Sequence, residues 1–283
     1  MTPLVTAAVL LAAITHATWN AMAHAVKDRF AAFTLLVGGS ALVGAVMVCF
    51  TPLPQAEAWP YLIASALLHL GYQALLFKSF SLGDFGQMYP IARGTAPLVV
   101  FLLAAAFLDE QLSGWQLAGM VTATAGLLGI ALWGIKGSTT RPDWPALLAA
   151  LATGLSIAAY TVVDGAGVRA SGSTLSYIAW LTLLQGALIP FYAFAAHGRQ
   201  LLPRLRPYAA RGLLGAVLSM IAYALVLWAQ TRAPLATVAA LRESSIIAGA
   251  AIGALFFKER FGGPRLVAAG LMVVGIGLML RAG

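Results

Sequence analysis

Arg93 sits in the stretch YPIARGTAPL (89–98), between Pro90 and Pro97, inside a run apolar enough for a lipid interior. A second arginine, Arg242, lies in ALRESSII (240–247), directly before Glu243. A charge at the centre of a membrane span costs about 2.5 to 3.5 kcal/mol on insertion scales, so ionisable residues there need a partner or a task. A guanidinium is a planar fork that grips a carboxylate or phosphate through paired hydrogen bonds. The chemistry on offer is therefore capture of an anionic group in a cavity at membrane depth. Glu243 has three roles open to it: an ion pair with Arg93, a seat for the amine of a zwitterion, or proton exchange. Ser244 and Ser245 add hydroxyls beside it.

Other polar side chains fall at helical spacing. His16, Asn20 and His24 follow one another at intervals of four, with Trp19 one step round. Further along come His69, Tyr72 and Gln73; Ser156, Tyr160 and Asp164, again four apart; and Ser219 with Tyr223. Tyr89 opens the arginine stretch. In lipid such faces must turn toward other helices or water. Together they suit the wall of a substrate cavity with aromatic surfaces and few polar groups, while hydrogen bonding between helices is the alternative use of each. Asp164, placed near a span end where it could also be interfacial, joins Glu243 as a candidate for proton coupling. Pro90, Gly94 and Pro97 form a candidate hinge, because proline removes a backbone donor and weakens the helix around it. Trp180 and Gln185 are weaker candidates, since a lone tryptophan also suits the interfacial belt.

The elements that position these groups are membrane helices. Of 283 residues 61% are hydrophobic and 9% charged, against roughly 25% charged in a soluble domain, and the mean hydropathy is +0.89. Runs of about 20 apolar residues, the length needed to span, recur throughout. They place ten spans at 4–26, 31–50, 58–80, 86–108, 114–135, 144–166, 174–196, 207–230, 234–257 and 263–281. Long runs rather than short alternating strands exclude a barrel. The first run lacks a basic leader and a small-residue cleavage site, so it is expected to be retained. Spans five and ten carry Ala118, Thr122 and Gly126, or Gly270, Gly275 and Gly277, with little polarity, which suits a packing scaffold or an oligomer face.

Several functions are excluded. One cysteine, Cys49, permits no intrachain disulfide and no cysteine metal cluster, and it is expected to be a small buried residue. The four histidines have no carboxylate at zinc-ligand spacing, and no HExxH, G-x-S-x-G, P-loop or GxGxxG pattern occurs. No metal or cofactor is expected, and nothing supports a membrane enzyme acting on a lipid-linked substrate. The net charge of +8 lies mostly in inter-helix loops beside a membrane, so no nucleic-acid partner is expected. The expected partners are a small-molecule substrate and membrane lipid, with a homodimer open.

The chain also carries an internal duplication. Shifted by 149 residues, ARGTAPLVVFLLAAAFLDEQL (92–112) overlies LRESSIIAGAAIGALFFKERF (241–261), matching Arg93 with Arg242, Glu110 with Glu259 and, further on, Gly126 with Gly275. Two repeats of five spans follow, 1–138 and 139–283. Because five is odd, the second must enter the membrane from the opposite side, giving inverted halves with a site near the midplane between them. Glu110 and Glu259 sit at span ends near the following helix N-terminus, where a carboxylate is favourable, and are read as structural.

The five-plus-five pattern, with HATWN in span one, YPIARGTAP in span four, the Asp-Glu and Lys-Glu endings of spans four and nine, and YTVVDGAGVR in span six, resembles the EamA family of the drug/metabolite transporter superfamily. The resemblance covers essentially the whole chain. It implies a secondary transporter, among whose relatives are amino-acid and metabolite exporters, working by alternating access in a bacterial inner membrane. An organic-anion carrier is the alternative within transport, since two arginines outnumber one nearby glutamate. The resemblance also implies cytoplasmic termini. The loops argue otherwise: those after odd-numbered spans hold Lys27, Arg29, Lys78, Lys136, Arg141, Arg199, Arg204, Arg206, Arg211, Lys258, Arg260 and Arg265, and the opposite side holds Arg169, Arg232 and Arg281. By the positive-inside rule the first set is cytoplasmic and the termini are outside.

Overall fold

A computed structural model describes residues 1–24, 26, 28–82, 85–137, 144–257 and 263–281. The described residues are helical with no strand. In order they form α1 (Pro3–His24), α2 (Arg29–Val48), α3 (Trp59–Leu82), α4 (Phe85–Leu108), α5 (Gly114–Gly137), α6 (Trp144–Ala170), α7 (Thr174–Gly186), α8 (Leu188–His197), α9 (Leu201–Leu205), α10 (Ala209–Gln230), α11 (Leu235–Arg242), α12 (Ser245–Phe257) and α13 (Gly263–Leu280). Among them, five stretches are long and apolar enough to cross a membrane: Pro3–Ala23, Phe30–Val48, Met88–Leu108, Trp144–Ala170 and Thr174–Gln230. Large apolar side chains such as Phe50, Phe107, Trp144 and Phe191 point outward, as expected where lipid replaces water outside.

Each expected span contains helix, but two are interrupted. Span seven divides between α7 and α8, where Pro190 has no N–H to return to the Gly186 carbonyl. Span nine divides at Glu243 and Ser244. There the amides of Glu243 and Ser244 bond three residues back, to Ala240 and Leu241, at 3.2 and 3.0 Å, the tighter pattern of a 3₁₀ turn. The prolines of the expected hinge do not break their own element, for Pro90 and Pro97 both lie within continuous α4. Gly94 serves packing: a Cβ there would stand 3.1 Å from Leu127 Cβ of α5.

The helices pack as α3 and α4 on α6, α1 on α10 and α12, α2 on α7, and α5 on α13. Exchanging each span with the one five places along returns the same set of neighbours. Small residues permit these approaches. A Cβ on Gly119 would lie 2.4 Å from the Gly275 carbonyl, joining α5 to α13, whereas Gly270 and Gly277 meet nothing within 4 Å. Gly126 and Gly275 therefore pack inside the chain, and Gly270 and Gly277 face outward. Cys49, expected to be buried, is exposed, because it caps the end of α2 instead of lying within the helix.

At the entry to α2, Asp28 accepts from the Ala31 amide at 3.1 Å and takes Nε and Nη2 of Arg204 at 2.6 and 3.0 Å. These bonds, the Arg204 side chain first and the Ala31 amide second, hold its carboxyl below the usual carboxylate value. A depressed carboxyl stabilises fully above its unfolded value of about 4 and loses that contribution as pH falls through the folded value. Thermal melts of purified protein should therefore separate wild type from Asp28→Asn at pH 6, and the gap should close below about pH 4.

α6 approaches α4 where Gly154 faces Thr95; a Cβ would lie 2.0 Å from Thr95 Oγ1 and 2.8 Å from the Ala92 carbonyl. Gly154→Ala should cost about 1 to 3 kcal/mol by overpacking, read as a lower melting temperature in detergent.

Candidate functional site

The interruption of span nine places two charges at opposed helix ends. Arg242 occupies the last turn of α11, where carbonyls point outward, and Glu243 precedes α12, where amides do. Each charge complements the partial charge of its own half-helix. Glu243 then reaches across to α4, with its Oε2 2.8 Å from Nε of Arg93. Arg93, Arg242 and Glu243 are 5%, 6% and 1% exposed. The pairing with Arg93 is thus the contact Glu243 makes, of the three open to it.

One carboxylate cannot satisfy two guanidinia. Arg93 Nη2, Arg242 Nε, Glu243 Oε1 and Ser245 Oγ are buried without a hydrogen-bond partner. A buried donor or acceptor left unsatisfied costs about 1 to 3 kcal/mol, more when charged. Tyr89 lies 6.0 Å under the Arg93 guanidinium, and the fields of Arg93 and Arg242 reach His16. His16 stacks edge-on with Trp19 at 5.0 Å, whose Nε1 is also unpartnered.

A second group lies beside the first, on α6 and its neighbours. Asp164 is fully buried. Its Oδ1 accepts from the Tyr177 hydroxyl at 2.9 Å and its Oδ2 from the Tyr223 hydroxyl. His69 stacks on Tyr160 at 4.1 Å and meets Tyr223 edge-on at 5.9 Å. Tyr72 stands edge-on to Tyr160 at 5.5 Å. Tyr160 thus links the His69 and Tyr72 rings through its own ring contacts.

Not every expected residue joins them. Asn20 is exposed and donates to the His16 carbonyl of its own helix at 2.8 Å. Gln73 is half-buried and makes no hydrogen bond to either group. Ser156 donates to the Leu68 carbonyl at 3.4 Å, a bond between helices. Trp180 packs on Trp59 at 4.9 Å. The His24 side chain and Glu259 lie outside the described residues. The water-filled cavity expected around Arg93 is not open here: α4, α6 and α11 close over the charges. A cavity between α1, α2 and α10, lined by Trp19 and Arg211 among others, measures about 10 Å³, room for about one water.

Sequence reasoning missed Tyr177, whose contact crosses between helices, and it missed Arg169. Arg169 donates to the Gln230 carbonyl at 2.9 Å, the Ala233 carbonyl at 3.3 Å and Glu110 at 2.7 Å. Glu110 in turn accepts from the Leu235 amide at 2.7 Å. It caps α11, in the other half of the chain, and not the helix that follows it in sequence.

A bundle of apolar helices closing over buried charges is the architecture of a multi-pass membrane transporter. The sequence model of the EamA-like transporter family matches residues 4–132 and 144–281, and the chain belongs to that family. It is 31% identical over 141 residues to the "Uncharacterized transporter YwfM" of Bacillus subtilis (strain 168), a match covering 50% of this chain. That match spans 46% of the relative's length. A solved crystal structure superposes with a TM-score of 0.73 at 19% identity, covering 99% of this chain and 96% of that one, which shows a shared fold.

The Glu110 contact is open to measurement. Glu110→Ala should speed hydrogen exchange at the start of α11 roughly five-fold, the equivalent of about 1 kcal/mol for a lost cap. Mass spectrometry of a peptide covering 235–242 reads it, and unchanged exchange would show that the cap is not held in solution.

Proposed function

We propose that this protein is a secondary transporter of the bacterial inner membrane that exports a small polar or amphipathic metabolite, an amino acid being the first choice. It moves its cargo by alternating access between two inverted repeats of five spans each. The observation that carries this reading is the buried set Arg93, Arg242 and Glu243, with polar atoms left unpartnered on all three. A carboxylate group of the cargo would satisfy the Arg242 fork, and an amine would satisfy the free oxygen of Glu243. Nearby rings of Tyr72, Tyr89, Tyr160 and Tyr223 offer apolar surface for the remainder.

The neighbour pattern that survives a five-span exchange and the two matched blocks at 4–132 and 144–281 support the repeat reading. In alternating access the site opens to one side at a time, and a group closed from solvent corresponds to the occluded stage of such a cycle. A second reading has its own observation. Two guanidinia against one carboxylate leave excess positive charge, which favours a phosphate or phosphonate ester.

Purified protein in liposomes, screened for counterflow of radiolabelled amino acids and phosphorylated metabolites, separates these readings. Arg242→Ala should raise the half-saturation concentration about tenfold or more, since hydrogen bonds to charged groups contribute about 1.5 to 3 kcal/mol. Arg93→Ala leaves Glu243 buried and unpaired, so its flux is read only on monodisperse, folded protein. No flux of any solute from folded wild type would sink the transporter reading. Flux untouched by either substitution would instead remove these residues from the site.

A further inference from the structure

We propose that Asp164 is a proton-binding site that couples substrate movement to a proton gradient. The inference rests on the transport reading above and adds its driving ion. It follows from a comparison of the described acidic side chains that make contacts. Glu243 faces Arg93, Glu110 faces Arg169 and Asp28 faces Arg204. Each is paired with a cation, so a proton taken up there would compete with a salt bridge. Asp164 is the exception. It is 0% exposed, and no cation lies within salt-bridge distance of it among the described residues.

Its direct partners are neutral hydroxyls, from Tyr177 on α7 and Tyr223 on α10. Hydroxyls can donate to a carboxylate or, after rotation, accept from a carboxylic acid. The cage therefore fits both protonation states, and a proton can enter or leave without stranding a charged partner. An ionisable residue inside a membrane with no fixed counter-ion is where a proton relay belongs.

The neighbouring charges supply the coupling. His69 Nδ1 lies 2.9 Å from the Ser65 carbonyl, which can only accept. The ring proton is thus on Nδ1, and Nε2 is left as the basic nitrogen that can pass a proton on. From α11, Arg242 acts on His69, Tyr160 and Tyr223, and Glu243 acts on Tyr160. From α4, Arg93 acts on Tyr160, which stands one helical turn before Asp164 on α6. Arg169, the other charge on α6, is committed to Glu110. A change of charge at Asp164 reaches the proposed cargo surface through Tyr223, whose hydroxyl bonds its Oδ2. Glu243, locked to Arg93, is the poorer carrier.

The test uses full-length protein in liposomes and a mixture of radiolabelled L-amino acids. Wild type should accumulate label against its gradient when a pH gradient is imposed, and should also catalyse counterflow without one. Asp164→Asn is nearly isosteric and keeps an acceptor for the two phenols. It should retain counterflow and lose the pH-driven accumulation, and Asp164→Glu should restore part of it. Asp164→Ser serves as a second neutral variant should the first misfold. Wild type showing counterflow with no pH-driven accumulation would overturn the proton site while leaving the transport reading intact. Full pH-driven accumulation in a neutral variant would overturn it too. Loss of counterflow in folded Asp164→Asn would overturn it in favour of a positioning role. Absence of counterflow in wild type would instead fail the transport reading beneath it.

Discussion

The contact between Arg93 and Glu243 is the constraint on which the centre of this structure depends. Two ions taken out of water are costly even when paired, and replacing such a pair by apolar residues is often neutral or stabilising. Packing alone would thus not call for it. The pair joins α4 to the interrupted span nine at 2.8 Å, fixing how the two halves of the chain meet. Once it forms, Arg242 is left with a guanidinium that its own glutamate neighbour cannot also serve.

That pair is possible because span nine is not one helix. An unbroken helix would send Arg242 and Glu243 about 100° apart round a single axis, with neither charge at a helix end. Ending α11 at Arg242 and restarting at Ser245 aligns both charges with the terminal dipoles. The same division makes α11 an eight-residue element, too short to hold its shape alone in water. Its far end is therefore tied down by Glu110 and Arg169. The surface-side contact and the buried pair secure opposite ends of one short helix.

Much of this was legible in the sequence, and the failures share a physical cause. Hydrophobic run length puts helix in each expected span but gives neither the two interruptions nor α9, and the rarity of charge in lipid singles out Arg93, Arg242 and Glu243. Spacing of four correctly puts Tyr160 and Asp164 on one face. Proline and glycine do not mark the break in span nine, for they stand in α4, where the helix continues. The better signal was RESS (242–245), four polar residues in succession within a span. Asn20 was misjudged because a side chain can return to its own helix, as its bond to the His16 carbonyl does. Tyr177 and Arg169 act on partners in other helices, and periodicity within one segment carries no information about them.

The duplication read at an offset of 149 residues also shows what was not duplicated. Arg93 and Arg242 match, but the counterpart of Glu243 is Gly94, and that of Asp164 is Thr15. Gly94 lets α4 close on α5, while Glu243 carries charge into the centre. A scaffold whose neighbours exchange symmetrically thus holds a site whose acids come from one half only. Two arginines and one glutamate are buried there, and each of the three keeps a polar atom without a partner among the described residues.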